Sequence, residues 1–555
     1  MTLTPPLLWI SQHSAAYTIT ATLVLVVFLI FALWPERTLP LSPVVRERLV
    51  VLGIPAVLFA WRWPVFIPTY ALNPDEAQML ANALKATVDI VPWHGFDPAS
   101  SGPLNSDVLT LPALVGAHID FFSARVVGLL LVAGALIALY FAVRWTYGAA
   151  LARVAVVPPL LLFAFVRDAD FVHYSSEHLP LFLNAVALAA AMYLGLAEGS
   201  ARKRVAAALV AGLCAGCALF AKLQDVPIAA VLALCAMAAI LTAPVRTRTR
   251  ELVVLAEGIG FPVALILGAV VVSGVWRDFV ISYILGATVY VQSPISVGPD
   301  FFFHSVAVYA KFLAVSAAVC GASLAVLIVM RRRITLPPAI APASAVLMVL
   351  AALFAVYEPH HPFPHYLLLT VIPLAWLTTN SFALALSAWR TPALREAAAF
   401  AFVLAFGIPL APHMPTTDDP FVQALASEAT FPLGPVDIAI EKLIPRGGRM
   451  LVWGWMPQYY VDTATLMATR DANAYFQIEL LPYRDYFRAR MMRELEAAPP
   501  PVVVDAVAPG QFGFTDNVTQ GIDSFPALSA FVRERYVLAN DIGGVRIYRL
   551  REGHL

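Results

Sequence analysis

The stretch Asn73-Pro74-Asp75-Glu76-Ala77-Gln78-Met79-Leu80 sets two adjacent carboxylates directly behind a run of membrane-type sequence. Acids stand out in this chain, because only 13% of its 555 residues are charged while 60% are hydrophobic and the mean hydropathy is +0.77. Soluble domains carry about 45–50% apolar residues. Asn73 is a favoured N-cap, Pro74 suits the first helical position, and Glu76 falls where a capping box reaches back to the cap backbone. Asp75, Gln78, Asn82, Lys85 and Asp89 then recur at steps of three and four, with Leu80, Leu84 and Val88 on another face. The spacing predicts an amphipathic helix lying along a membrane surface. A helix start accounts for Glu76 and leaves Asp75 without a structural duty.

Outward from this stretch, runs of roughly 20 apolar residues recur, the length that crosses a bilayer core. Twelve spans are expected, at about 17–35, 46–63, 124–143, 149–166, 179–197, 204–221, 226–243, 251–274, 306–329, 336–356, 365–387 and 396–411. One set of alternate loops carries Arg37, Arg46 and Arg48; Arg144 and Arg153; Arg202, Lys203 and Arg204; Arg246, Arg248 and Arg250; Arg331, Arg332 and Arg333; and Arg390 and Arg395. The other set is poor in bases and rich in acids, His and Pro. The positive-inside rule then places the basic loops in the cytoplasm and both termini outside. Segment 64–123 becomes a long external loop. After Ala411 charge, Pro and Gly rise, and strand-like runs occur at Met450–Trp453, Pro501–Val504 and Gly544–Tyr548. Residues 1–411 therefore read as a membrane domain and 412–555 as an extracytoplasmic α/β domain. Formal net charge is zero, which points to no nucleic-acid partner. Cys214, Cys217, Cys235 and Cys320 all lie in apolar runs, and the CxxC pair reads as packing residues.

Three further external segments carry candidate chemistry. Asp168 and Asp170 suit a solvated turn, but Glu177 opens a span with apolar sequence behind it, and an acid at the edge of hydrocarbon marks a site. Lys222 sits in a tight turn, where it either snorkels to the interface or holds an anionic headgroup. Tyr357–Tyr366 packs His360, His361 and His365 among three prolines, a pattern suited to phosphate contacts, and the adjacent His360-His361 lacks the i, i+4 spacing of a helical metal pair.

The external "DE" is followed by Gly102-Pro103-Leu104 and the apolar Leu109–Leu114. Then come "SSEHLPLFL" (175–183), "AKLQDVP" (221–227) and "PHYLLLTVIPLAW" (364–376). In this order and placement the chain resembles the GT-C superfamily of membrane glycosyltransferases, in the branch of protein O-mannosyltransferases, lipid A aminoarabinose transferases and similar bacterial galacturonosyltransferases. The likeness covers roughly 45–390. The tail entered at "VWGWMPQYY" (452–460) is similar to the exported domain of many bacterial members. One departure is the additional first span, 17–35.

The resemblance implies a polytopic α-helical membrane protein, a GT-C-like bundle of about 12 spans with a C-terminal extracytoplasmic α/β domain, in the bacterial inner membrane. It implies transfer from a polyprenyl-phosphate-linked sugar to a hydroxyl of a lipid, glycan or protein acceptor, with inversion. Asp75 matches the catalytic acid and Glu177 a second acidic position, while Glu76, Lys222, His361, His365 and Tyr366 fall where the donor phosphate or sugar binds. No residue is assigned to a metal and no cofactor is required, although Asp75 with Glu177 could hold a divalent cation. The competing class is a transporter or lipid flippase, for which twelve spans are common. That class places charge near the midplane and shows related halves, and neither feature is visible here.

Overall fold

The computed structural model describes residues 13–34, 41–196, 199–292, 297–330, 339–389, 391–426, 433–479 and 481–552. Arg37, Arg331–Arg333 and Arg390, used above in assigning loops, lie outside the described residues. The chain forms two compact units, one of Met1–Ile67, Gly128–Leu265 and Gln292–Ala429, the other of Pro68–Val127, Ile266–Val291 and Thr430–Leu555.

Among the described residues, eleven helices are long and apolar enough to cross a membrane. We number those used below α1 (Ser14–Leu33), α2 (Pro43–Phe66), α3 (Pro74–Ala86, short), α4 (Phe121–Tyr147), α5 (Ala149–Ala155), α6 (Val157–Phe165), α7 (His178–Leu196), α8 (Ala201–Ala221), α9 (Val226–Thr242), α10 (Arg248–Val272), α11 (Ala307–Met330), α12 (Ile340–Tyr357) and α13 (Leu368–Ser387). The expected fourth span is the exception. It is two short helices, α5 and α6, joined at Val156 where Pro158 and Pro159 follow and break the run of backbone hydrogen bonds. Arg62 near the end of α2 donates to the carbonyls of Phe163 (2.7 Å) and Phe171 (3.2 Å), so α6 finishes level with the end of α2.

In the first unit, α7 packs on α8 and α9, and α13 packs on α11 and α12. Small residues set the closest crossing. A Cβ at Gly212 would lie 2.3 Å from the Leu255 carbonyl oxygen, and one at Gly216 2.4 Å from that of Ile259. Cys214 lies between these glycines on the same helix, which is the packing setting expected for it.

The second unit is built on a five-stranded sheet of order β2-β1-β3-β5-β4, with β1 Arg449–Trp453, β2 Leu466–Met467, β3 Val502–Asp505, β4 Tyr536–Ile542 and β5 Val545–Leu550. Strands β2, β1 and β3 are parallel, β5 runs antiparallel to β3, and the edge strand β4 pairs antiparallel with β5. Strand β3 is buried along its whole length, as a central strand covered on both faces must be.

The 68–127 segment belongs to this unit. Ala81, Ala86 and Phe96 share one core with Met450, Val452, Val502 and Ile547. The polar stripe of α3 packs within that unit. Lys85 Nζ donates to the Met467 carbonyl (3.0 Å), Asn473 Nδ2 to Gln78 Oε1 (2.7 Å), and Asn82 Nδ2 reaches the Asp97 carbonyl at 3.5 Å. The helix is present over the expected stretch, and its polar face is occupied by protein groups. A stripe of amides and one Lys satisfies backbone and side-chain groups of a neighbouring sheet as well as it satisfies water.

Candidate functional site

In the first unit four expected residues meet at one end of the bundle. Glu177 immediately precedes α7, Lys222 caps the end of α8, and His365 and Tyr366 begin the helical turn before α13. Three chain segments thus deliver polar groups to a place walled by apolar helices. Lys222 Nζ pairs with Glu177 Oε1 and donates to Ser176 Oγ (2.7 Å), and it lies 4.8 Å over the Tyr366 ring. His365 Nε2 is 4.0 Å from Glu177 Oε1, and its Nδ1 is 3.6 Å from Asp170 Oδ2. His361 is joined to them by a stack. Its ring lies 5.4 Å from Phe363, which lies 5.6 Å from His365, at interplanar angles of 8° and 10°.

The electrostatics follow from burial. Glu177 is fully buried, which works to raise its carboxyl, yet the charges of Lys222 and His365 hold it down at about 2. The result is a buried, charged and hydrogen-bonded cluster at a helix mouth. Beside it, an apolar cavity of about 270 Å³ opens between α11, α12 and α13, lined by residues including Phe302, Tyr309, Leu353, Tyr357, Thr370 and Leu374. Tyr309 Oη and Thr370 Oγ1 are hydrogen-bonded in its wall at 2.6 Å. Tyr309 also meets Phe171, beside Asp170, at 6.1 Å between ring centroids.

Asp75 and Glu76 belong to the second unit. Asn73 caps α3 as expected, with Oδ1 accepting from the Asp75 N–H (2.9 Å). Glu76 departs from the capping box. Its carboxylate accepts from the Leu72 N–H (3.4 Å) and is gripped by the Arg125 guanidinium, Nε–Oε1 3.0 Å and Nη2–Oε2 2.9 Å. Arg125 also donates to the Pro68 and Tyr70 carbonyls, at 2.6 and 2.7 Å. A two-point guanidinium–carboxylate fork out of water is the strong form of this contact, and it fixes the first turn of α3. Asp75, next to it, remains half-buried.

Sequence reasoning passed over several of these groups. Asp170 was read as a solvated turn and instead faces His365. Ser176 carried no signal of its own, because a Ser is informative only through what it touches. Arg125 did leave a signal, a lone cation in the first turn of an apolar span. Asp107 was also unmarked. Burial pushes its carboxyl up to about 7, and its Oδ1 atom has no hydrogen-bond partner. Because the folded value exceeds the unfolded one, the wild-type chain loses stability as pH climbs from about 4 to 7 and is level above that. Asp107→Asn is therefore expected to leave thermal stability in detergent little changed at pH 4 and to raise it above pH 7. A pH series of melting temperatures for both proteins checks this.

Among the described residues, no group of three or more His, Cys, Asp or Glu is arranged to hold a metal ion.

A multi-span helical bundle, a buried cation–carboxylate cluster at one end of it, and a unit built on an α/β sheet together define a polytopic α-helical membrane protein. No protein-family model matches the sequence, and no curated protein matches it either. In three dimensions the chain is similar to the crystal structure of ArnT from Cupriavidus metallidurans in the apo state, with TM-score 0.54 and 15% identity over 91% of this chain and 98% of that one. It is similar to the same protein bound to undecaprenyl phosphate, with TM-score 0.53 and 15% identity over 92% and 98%. The Archaeoglobus fulgidus oligosaccharyltransferase in the apo form aligns with TM-score 0.44 and 15% identity over 83% and 69%. What the chain has in common with ArnT at this identity is the fold.

Proposed function

We propose that this protein is an integral-membrane glycosyltransferase that moves a sugar from a polyprenyl-phosphate donor to an acceptor hydroxyl on the extracytoplasmic side, with inversion. The observation that carries the reading is the buried Lys222–Glu177–His365 cluster at the bundle end, beside an apolar cavity. A lipid-linked phosphate needs such a pair of environments, a fixed cation for its charge and hydrocarbon for its tail. ArnT, similar in fold, has a crystal structure bound to undecaprenyl phosphate, which supports a lipid-linked donor here. The basic loops, assigned to the cytoplasm, leave the cluster on the other face.

In the proposed reaction, the acceptor hydroxyl attacks the anomeric carbon as the bond from that carbon to the phosphate oxygen breaks. Asp75 takes the hydroxyl proton, and the polyprenyl phosphate leaves with the bonding electron pair. Lys222, with His365 and Tyr366 beside it, stabilises the departing phosphate, where charge grows in the transition state. Glu177 holds Lys222 in place and orients sugar or acceptor hydroxyls, and His361 completes the donor surroundings, while Glu76, expected there from the sequence, is taken up by Arg125 and anchors the turn that carries Asp75. An extracytoplasmic site suits a lipid-linked donor, since nucleotide sugars are cytoplasmic. The purified protein in nanodiscs, offered a panel of radiolabelled polyprenyl-phosphate sugars, is expected to consume at least one label and release polyprenyl phosphate. Consumption of none, together with vectorial movement of a solute in vesicles, would replace this reading with transport.

A further inference from the structure

The second unit holds an ion network that the reaction above does not use. Arg490, on the helix Arg484–Ala497, is almost fully buried. Its guanidinium meets three carboxylates from three separate chain segments: Asp97 Oδ2 at 2.9 Å, Asp278 Oδ1 at 3.1 Å and Asp471 Oδ1 at 2.5 Å. Asp97 follows α3 within the 68–127 segment, Asp278 follows α10, and Asp471 follows β2. Each acid is tied a second time. Ser282 Oγ donates to Asp97 Oδ1 (2.5 Å), Tyr486 Oη to Asp278 Oδ1 (2.7 Å), and Gln477 Nε2 to Asp471 Oδ2 (3.0 Å).

Arg470 makes a parallel set of ties. It pairs with Asp278 (3.3 Å) and Glu494 (2.5 Å), donates to the Trp93 carbonyl, and its own carbonyl accepts from the Asp97 N–H (2.7 Å). Trp93 is held at φ +61°, a conformation that strains a bulky residue and persists only where the surroundings over-determine it. Its ring is caught between Phe279 (4.9 Å) and Tyr283 (5.4 Å).

Apolar side chains of similar size would stabilise such a junction at least as well, because desolvating four acids and two guanidiniums is costly. What the ions supply is direction. The Arg490 N–H groups donate to Asp278 and Asp471, with Asp97 at ion-pair distance, and Asp97 is itself held by Ser282 and the Arg470 carbonyl; together these ties fix segment 87–101, and hence α3 immediately before it, on the sheet. We propose that Arg490, with Arg470, is a positioning clamp by which the C-terminal sheet sets the place of α3 and of Asp75 at its first turn. The catalytic consequence rests on the reading of Asp75 as the base. The clamp itself does not.

The test uses the full-length protein in nanodiscs and compares wild type, Arg490→Met, Arg490→Lys, Asp278→Asn and Asp75→Asn by hydrogen exchange and by turnover of the polyprenyl-phosphate sugar panel. Arg490→Met is expected to speed amide exchange across 74–101 and to lower kcat roughly tenfold with KM for the donor unchanged, since small misplacements of a reacting group cost rate and not binding. Arg490→Lys is expected to recover part of both effects. Asp278→Asn keeps the volume and removes one anion, so it gives the same two changes in weaker form if Arg490→Met fails to fold. Unchanged exchange across 74–101 in a folded Arg490 or Asp278 variant overturns the clamp. So does faster exchange with undiminished kcat. Full activity of Asp75→Asn, or no turnover by the wild type, removes the proposed reaction instead, and the exchange data then decide the clamp alone.

Discussion

Asp75→Asn is expected to yield a folded protein whose sugar transfer is reduced about a hundredfold or more, the usual worth of a general base. The fold should not notice the change. The N-cap bond at the start of α3 runs from the Asp75 backbone N–H to the Asn73 side chain, and the buried acid that anchors this turn is Glu76, held by Arg125. An amide at position 75 keeps the shape and loses only the capacity to accept a proton. Initial rates with a labelled donor, alongside the melting temperature and elution volume of the same preparation, make the comparison. Near-normal transfer by a well-folded Asp75→Asn protein would take Asp75 out of the mechanism. Glu76→Gln is the internal contrast, since it weakens the Arg125 fork and should lower stability first.

Lys222→Met is expected to fail in two separable ways. Removing the cation strands Glu177 as an unpaired buried carboxylate, and breaking one side of a buried pair costs about 3–5 kcal/mol. The single variant should therefore melt well below wild type. Adding Glu177→Gln removes the stranded charge, so the double variant Lys222→Met/Glu177→Gln should regain most of that stability. It should not regain donor binding. A hydrogen bond to a charged group contributes about 1.5–3 kcal/mol, so affinity for undecaprenyl phosphate should stay roughly ten- to a hundredfold weaker. Melting temperatures and lipid titrations of the wild type, both singles and the double form a closed cycle. A double variant that is stable and binds undecaprenyl phosphate as tightly as wild type would leave Lys222 a structural residue only. Acid adds a further readout. Glu177 is held at about 2, below its unfolded value, so the stabilisation of this pair is present above pH 4 and lost as pH falls towards 2. The double variant should lack that loss.

Much of the architecture was legible one residue at a time. Hydropathy runs located the membrane helices, because a bilayer demands the same uninterrupted apolar length wherever a helix crosses it. Even the broken fourth span kept its place, and the prolines that break it are in the sequence. Asn73 announced the start of α3, and β1, β3 and β5 showed as strand-like runs. Strand β2 was missed because two residues carry no period, and β4 because an exposed edge strand with Ala-Asn-Asp in its middle has none of the composition of a buried one. The site divided in the same way. Glu177 and Lys222 each stood out as charges beside hydrocarbon, but nothing in the sequence joined them across a separation of 45 positions. Arg490 gave no signal at all, since an Arg on a polar helix is ordinary until its three carboxylates are seen.

The sequence by itself determined which segments are helices long enough to span a membrane, where their charged ends fall, and that acids and histidines gather in one set of loops. Those are local consequences of chain length, capping and the cost of charge in hydrocarbon. Only the tertiary structure decided which charges meet: Lys222 with Glu177, Arg125 with Glu76, Arg490 with Asp97, Asp278 and Asp471. It also decided what the polar face of α3 meets, the Met467 carbonyl and the Asn473 amide. Ion pairing depends on distances of a few ångströms between groups far apart in the chain, and a periodic pattern fixes which face is polar without naming what that face will meet.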